Sequence, residues 1–219
     1  MSYGLLMFLA IIAVFLFFGI SMYLDRKRML KWEEVAARNG FSFLASGPPP
    51  SHPFDLVSRG RSRRNRNIVS WDAGGYRLTL SDYSYTTGSG RSRQTHRQTI
   101  CVLEDEKVSI PPFSLRREHG IFDAIGSSLG MQDIDIPGDQ PFSRAFVVKG
   151  NETGVLGCFD SDVRSFLLGA RGTFYTVEGR NGAMLVNFGR RIDPERYGEY
   201  AGFGMELFTR FRAVCARTW

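Results

Sequence analysis

From Gly4 to Leu24 the chain runs 21 residues without a charged side chain. As a helix rising 1.5 Å per residue this stretch is about 31 Å long, which matches a hydrocarbon core of about 30 Å. Thirteen of its residues are Leu, Ile, Val or Phe. At about −0.3 to −0.6 kcal/mol each on an insertion scale, they favour the bilayer by roughly −4 to −8 kcal/mol together. That margin absorbs Gly19, Ser21 and Tyr23. A cleaved signal peptide would carry its positive charge before the apolar run and a small-residue cleavage site after it. Here the order is reversed, with Asp25 followed by Arg26, Lys27, Arg28 and then Lys31. The expectation is a retained single-pass anchor over residues 1–28. Positive charge on the inner side predicts an N-terminus outside and a cytoplasmic domain over residues 29–219.

Cys101, Cys158 and Cys215 are odd in number and widely separated. That pattern suits neither a secreted disulfide framework nor paired zinc ligands, and it predicts small apolar residues in a reducing compartment. After the anchor about 190 residues remain, enough for one large domain, with a possible subdivision near residues 105–117 at Ile110-Pro111-Pro112.

Met29 to Asn39 reads as a helix that can continue the anchor, with Leu30, Val35 and Ala36 turned inward. Phe41 to Leu44 reads as a strand, and Gly47 to Pro53 as a rigid Pro-rich connection. Strands over 67–71 and 75–85 flank the turn Asp72-Ala73-Gly74. Tyr76, Leu78 and Leu80 alternate with polar residues, whereas Tyr83 and Tyr85 fall out of phase, which predicts a bulge near Ser81-Asp82. The apolar run Ile100 to Leu103 has the character of a central strand. A helix is expected over 118–129, a strand over 142–149, and a helix over 152–168 broken near Asp160. A hairpin is expected around Arg180-Asn181-Gly182, then a last helix capped by Asp193 and begun by Pro194. The whole is α+β: an N-terminal transmembrane helix, then a mainly antiparallel sheet covered by helices.

Charge is the most informative functional clue. Between Arg59 and Arg97 nine arginines stand against Asp72 and Asp82, a local net of +7 in a chain whose total is +6. The candidate anion or lipid contacts are Arg61, Arg63, Arg64, Arg66, Arg91, Arg93 and Arg97, read as two basic loops at sheet ends. On a tethered domain the natural partner is an anionic leaflet, at about 1 kcal/mol per basic residue near the surface. An acidic protein or a nucleic acid backbone offers the same complementarity. The competing reading is a pair of solvated loops. Trp71, Tyr76, Tyr83 and Tyr85 lie beside the patch and read as packing residues.

No motif assigns chemistry. Gly88-Ser89-Gly90-Arg91 lacks the length and the Lys-Ser/Thr helix start of a phosphate loop. His52, His96 and His119 have no metal-pair spacing. Asp133 and Asp135 share a face of an extended segment but fit turn roles as well. No catalytic, metal-binding or cofactor-binding residues are assigned. The alternatives to an accessory domain are a membrane-surface enzyme acting on a phosphorylated substrate, which needs arginines and a carboxylate in one concavity, and a structural subunit with an apolar patch on its last helix.

Asn67-Ile68-Val69-Ser70-Trp71, Asp82-Tyr83-Ser84-Tyr85-Thr86-Thr87-Gly88, Gln98-Thr99-Ile100, and Asp133-Ile134-Asp135 with Phe142-Ser143-Arg144 together resemble a group of bacterial single-pass inner-membrane proteins with no assigned activity. The resemblance covers roughly Trp32 to Phe188. It implies a bacterial inner-membrane setting and supplies no catalytic residues.

Overall fold

The computed structural model describes residues 3–118 and 132–215. The apolar segment and its basic flank form one continuous helix, α1 (Tyr3–Asn39), 37 residues or about 55 Å long. It is long and apolar enough to cross a membrane. Its last third lies on the protein through a stripe at helical spacing: half-buried Ser21, Asp25 and Arg28, then buried Trp32, Val35 and Ala36. Leu30, expected inward, is exposed. Trp32 takes the inward place because the stripe follows the 3- and 4-residue steps set by Asp25 and Arg28.

Among the described residues nine strands form one antiparallel sheet in the order β1-β2-β3-β4-β9-β8-β5-β7-β6. They are β1 (Ser42–Gly47), β2 (Arg61–Asp72), β3 (Arg77–Thr87), β4 (Gln94–Glu104), β5 (Phe113–Arg117), β6 (Gln132–Ile134), β7 (Phe146–Gly150), β8 (Thr176–Arg180) and β9 (Ala183–Asn187). The helices are α2 (Asp55–Ser58), α3 (Gln140–Ala145), α4 (Glu152–Cys158), α5 (Ser161–Gly169) and α6 (Tyr197–Cys215). The fold is α+β.

Both faces of the central strands are covered. On one, Leu78, Leu80, Cys101, Leu103, Met184 and Val186 pack with Trp32 of α1 and Leu207, Phe208 and Phe211 of α6. On the other, Tyr83, Tyr85, Ile100, Val102, Ala183 and Leu185 pack under Phe54, Leu56 and Val57 of the strap that follows the Pro-rich connection. Burial of alternate residues on two faces explains the continuous apolar runs of β4 and β9. It also explains Tyr83 and Tyr85, which face the strap while Leu78 and Leu80 face the helices.

The irregularity, a bulge or twist, expected near Ser81-Asp82 falls on the strand opposite: β3 itself pairs with β4 without a break from Arg77↔Glu104 to Thr87↔Gln94. The irregularities lie in β2, between Arg61 and Arg64 and between Arg66 and Val69, where Ser62 and Asn67 take positive φ. The strand expected over 142–149 is also corrected. Asp139 accepts from Phe142 N and starts α3, so extended structure begins only at Phe146. Asp160 does break the 152–168 helix, capping α5 through Val163 N. Asn181 and Gly182 supply the positive φ of the β8–β9 turn, and Asp193 caps a 3-10 turn, Pro194–Arg196, that opens into α6. The helix expected over 118–129 lies outside the described residues.

Two of the three cysteines depart from expectation. Cys158 on α4 and Cys215 on α6 are joined in a disulfide, with Cα atoms 5.5 Å apart. Their 57-residue separation in sequence concealed the packing of α4 against α6. Cys101 is free and buried, with burial pushing its thiol well above the usual range. Disulfides persist in oxidising compartments, so the cysteines no longer argue for a reducing one.

The strap is pinned by a buried carboxylate. Glu178 accepts from Asp55 N at 2.5 Å and Leu56 N at 3.1 Å, while Arg180 donates to Asp55 Oδ1 at 2.8 Å. Burial, reinforced by the Asp55 carboxylate, raises Glu178 from 4.5 to about 7. The folded state thus holds a proton that the unfolded chain has released between these values. This contribution is fully present below about pH 4.5 and is lost as pH rises through about 7. Urea midpoints should fall across that window in the native protein, and Glu178→Gln should flatten the fall. An unchanged slope in the variant would remove Glu178 as its source.

Candidate functional site

Because β2, β3 and β4 are in register, directly opposed residues share a face. Arg64, Ser84 and Arg97 form one cross-strand row, and Arg66, Asp82 and Thr99 form the next. In a regular strand Arg64 and Arg66 would point away from the face that Val69 shares with Leu80. The extra residue at Asn67 reverses the alternation, so the two arginines come to lie on the helix-covered face. The basic segments are not the loops the charge pattern suggested. Four of the seven candidates lie in β2 and Arg97 lies in β4. Arg91 sits in the 3-10 turn Gly90–Ser92, and Arg93 follows it.

Asp82 is the hub of this face. Arg28 of α1 meets it in a two-pronged pair, Nε to Oδ2 at 2.6 Å and Nη2 to Oδ1 at 2.7 Å. Asn67 Nδ2 and Thr99 Oγ1 each donate to it at 2.8 Å. Arg28 Nη1 also donates to Ile192 O at 2.7 Å, and Thr99 Oγ1 accepts from Ile192 N. The Asp82 side chain is 3% exposed and that of Arg28 15%, so the pair is largely removed from water. One helical turn earlier, Asp25 pairs with Arg191 at 2.9 Å. Burial works against the Asp25 charge, but Arg191, with Arg97 and Arg66 beyond it, holds the carboxyl below its usual range.

Beside this hub lies a groove of about 390 Å³. Its walls include Arg64, Arg66, Arg93, Arg97 and Arg191, together with Asp25, Asp82 and Phe18 of the apolar part of α1. The structure thus brings four of the seven candidate arginines together. Among the described residues none of Arg64, Arg66, Arg93 and Arg97 makes an ion pair. The other three are elsewhere. Arg63 faces the strap and donates to Val57 O at 2.7 Å, Arg61 donates to Gly88 O at 2.8 Å, and Arg91 is exposed at the hairpin tip. Arg191 escaped sequence reasoning. Its only signal was the Arg190-Arg191 pair, which lies far from the other basic residues in the chain.

The remaining candidates do not assemble. His52 contacts Glu104 at 3.1 Å, and His96 stacks on Tyr85 and shares a hydrogen bond with Thr87. His119 and the side chain of Asp133 lie outside the described residues, while Asp135 is exposed. Among the described residues no group of His, Cys, Asp and Glu could hold a metal ion. Tyr76, Tyr83 and Tyr85 are buried and Trp71 stacks on Phe41, as packing residues.

No protein-family model and no curated protein sequence matches this chain. Among solved structures, the crystal structure of the mycobacterial trehalose monomycolate transport factor A, TtfA, has a similar fold. The TM-score is 0.61 over 86% of this chain and 94% of that chain, at 13% identity.

Breaking a buried pair from one side strands the other charge at a cost of about 3–5 kcal/mol. Arg28→Ala and Asp82→Asn should each lower stability by about 3 kcal/mol, measured by urea unfolding of the full chain in detergent. The double variant should lose less than the sum of the two. Additive losses would mean that the two side chains do not act as a pair.

Proposed function

We propose that this protein is a single-pass inner-membrane accessory protein whose α+β domain holds its basic end against anionic lipid headgroups. The observation that carries this reading is the mixed wall of the groove, in which Phe18 of the apolar helix lines the same space as Arg64, Arg66, Arg93 and Arg97. Phe18 precedes the end of the apolar segment by six residues, about 9 Å along the helix. The Arg28–Asp82 pair fixes the domain to the helix, so the basic end cannot swing away from the bilayer. Arg26, Lys27 and Lys31 add positive charge just beyond the end of the apolar segment, and the likeness in fold to a transport factor agrees with an accessory role. The same geometry disfavours a nucleic acid or an acidic protein as principal partner, because each would compete with the bilayer for this surface.

The alternative of an enzyme for a phosphorylated substrate has the concavity of arginines and carboxylates that it needs. Its carboxylates are occupied, however: Asp82 by Arg28, Asn67 and Thr99, and Asp25 by Arg191. Asp82 accepts four hydrogen bonds and has no lone pair left, and the arginines around Asp25 lower its affinity for a proton. A structural subunit would need an apolar patch on α6. The large exposed apolar residues among those described lie on α1, apart from Leu44 and Leu156.

Hydrogen exchange on the full chain in nanodiscs tests the contact. The β2–β3 and β4 ends around Arg64, Thr87 and Arg97 should be protected in discs containing phosphatidylglycerol and lose that protection in neutral discs or at raised salt. Equal protection in neutral and anionic discs would overturn the reading.

The proposed orientation, with a cytoplasmic domain, rests on the basic flank. A reporter fused after Trp219 should be active only in the cytoplasm. Alkylation of denatured, unreduced extract gives an independent answer. Three labelled thiols place the domain in the reducing cytoplasm, with Cys158 and Cys215 as neighbouring thiols. One labelled thiol places it in an oxidising compartment and reverses the topology.

A further inference from the structure

Four arginines without ion-pair partners stand against a helix that is apolar at the same level. Charged side chains below the headgroup layer are costly unless they are paired or reach the interface. That layer is only about 5–8 Å deep on each side of the hydrocarbon, so a groove reaching Phe18, about 9 Å before Leu24, opens at the lipid phosphates or deeper. The bilayer itself can supply an anion to pair these exposed charges.

The groove is built to take one. Arg64 and Arg97 flank Ser84 in one row, with Thr86 and Thr95 in the next row towards the hairpin tip. Guanidinium groups approaching from two strands can each give a phosphate two parallel hydrogen bonds, and the hydroxyls of Ser84 and Thr86 can donate as well. The cavity of about 390 Å³ falls in the range of about 300–1,000 Å³ typical of small-ligand sites. Phe18, 61% exposed, offers an apolar wall on the side from which a lipid would enter.

We propose that the groove between α1 and the β2–β3–β4 platform binds one phospholipid, with its phosphate among Arg64, Arg66, Arg93 and Arg97 and an acyl chain along Phe18. This goes beyond diffuse attraction to an anionic surface: it is a stoichiometric site with a phosphate pocket and an apolar flank. It rests on the membrane reading above.

Native mass spectrometry of the full chain, released from micelles containing phosphatidylglycerol and phosphatidylcholine, tests it. The expected spectrum shows one retained phosphatidylglycerol. Arg64→Gln with Arg97→Gln should reduce retention at least tenfold. Arg61→Gln with Arg91→Gln removes the same charge outside the groove and should leave retention within about twofold. Phe18→Ser should weaken phosphatidylglycerol retention while leaving competition by inorganic phosphate unchanged. Equal losses from both arginine pairs would overturn the site but leave the headgroup contact standing. Retention insensitive to Phe18→Ser, together with full displacement by inorganic phosphate, would overturn the lipid as ligand in favour of a soluble phosphate. If no phosphatidylglycerol is retained the site is refuted, and the exchange experiment in nanodiscs then decides the broader reading by itself.

Discussion

The pairing of Arg28 with Asp82 is the interaction on which the rest of the arrangement depends. A helix of 37 residues with an apolar first half has no intrinsic reason to lie against the domain that follows it. Here a guanidinium from the helix and a carboxylate from the middle of the sheet meet through two hydrogen bonds in a largely dry setting. Neither charge could be buried there alone. Asn67, Thr99 and the carbonyl of Ile192 satisfy what the pair leaves over, so five segments distant in sequence converge on one polar cluster. Trp32 and Ala36 then seal the last turns of the helix to the apolar core. The long helix and the domain consequently share one orientation, and the basic end of the sheet faces the same way as the apolar end of α1.

Asn67 shows how a local irregularity shapes a surface. With its φ of 50°, it adds one residue to β2 opposite an unbroken β3. Val69 keeps its core position, while Arg64 and Arg66 are carried to the same face and become neighbours of Arg97. The Asn67 side chain then donates to Asp82, so the residue that creates the bulge also supports the central carboxylate. The groove is therefore continuous with the structural core. The carboxylates near it pair with Arg28 and Arg191, and among the described residues Arg64, Arg66, Arg93 and Arg97 make no ion pair.

Sequence patterning recovered the elements wherever one physical signal dominated. The Asp193-Pro194 start, the Asp160 break and the Asn181-Gly182 turn all follow from backbone chemistry at single residues, and the structure contains each of them. Patterning misled where two faces or two elements competed. The phase change at Tyr83 signals a sheet covered on both sides, because a short strap buries the face that would otherwise be solvated. The residues from Phe142 onward looked extended because of their aromatic and β-branched content, but Asp139 capped a turn of helix first. Of the groove, the excess of arginines was visible. Their division between Arg64, Arg66, Arg93 and Arg97 on one side and Arg61, Arg63 and Arg91 on the other was not, since it depends on register.

What the sequence determined by itself is a helix long and apolar enough to cross a membrane and its charged flank, because 21 uncharged residues run up to Asp25, Arg26, Lys27 and Arg28. It also determined the α+β class, through the alternation of two periods along the chain. The tertiary structure decided which distant residues meet: Arg28 with Asp82, Asp25 with Arg191, Cys158 with Cys215, and Phe18 with the arginines of β2 and β4. Such contacts are set by strand register and helix docking. Those are properties of the whole packed chain and leave no mark in the composition or spacing of any one segment.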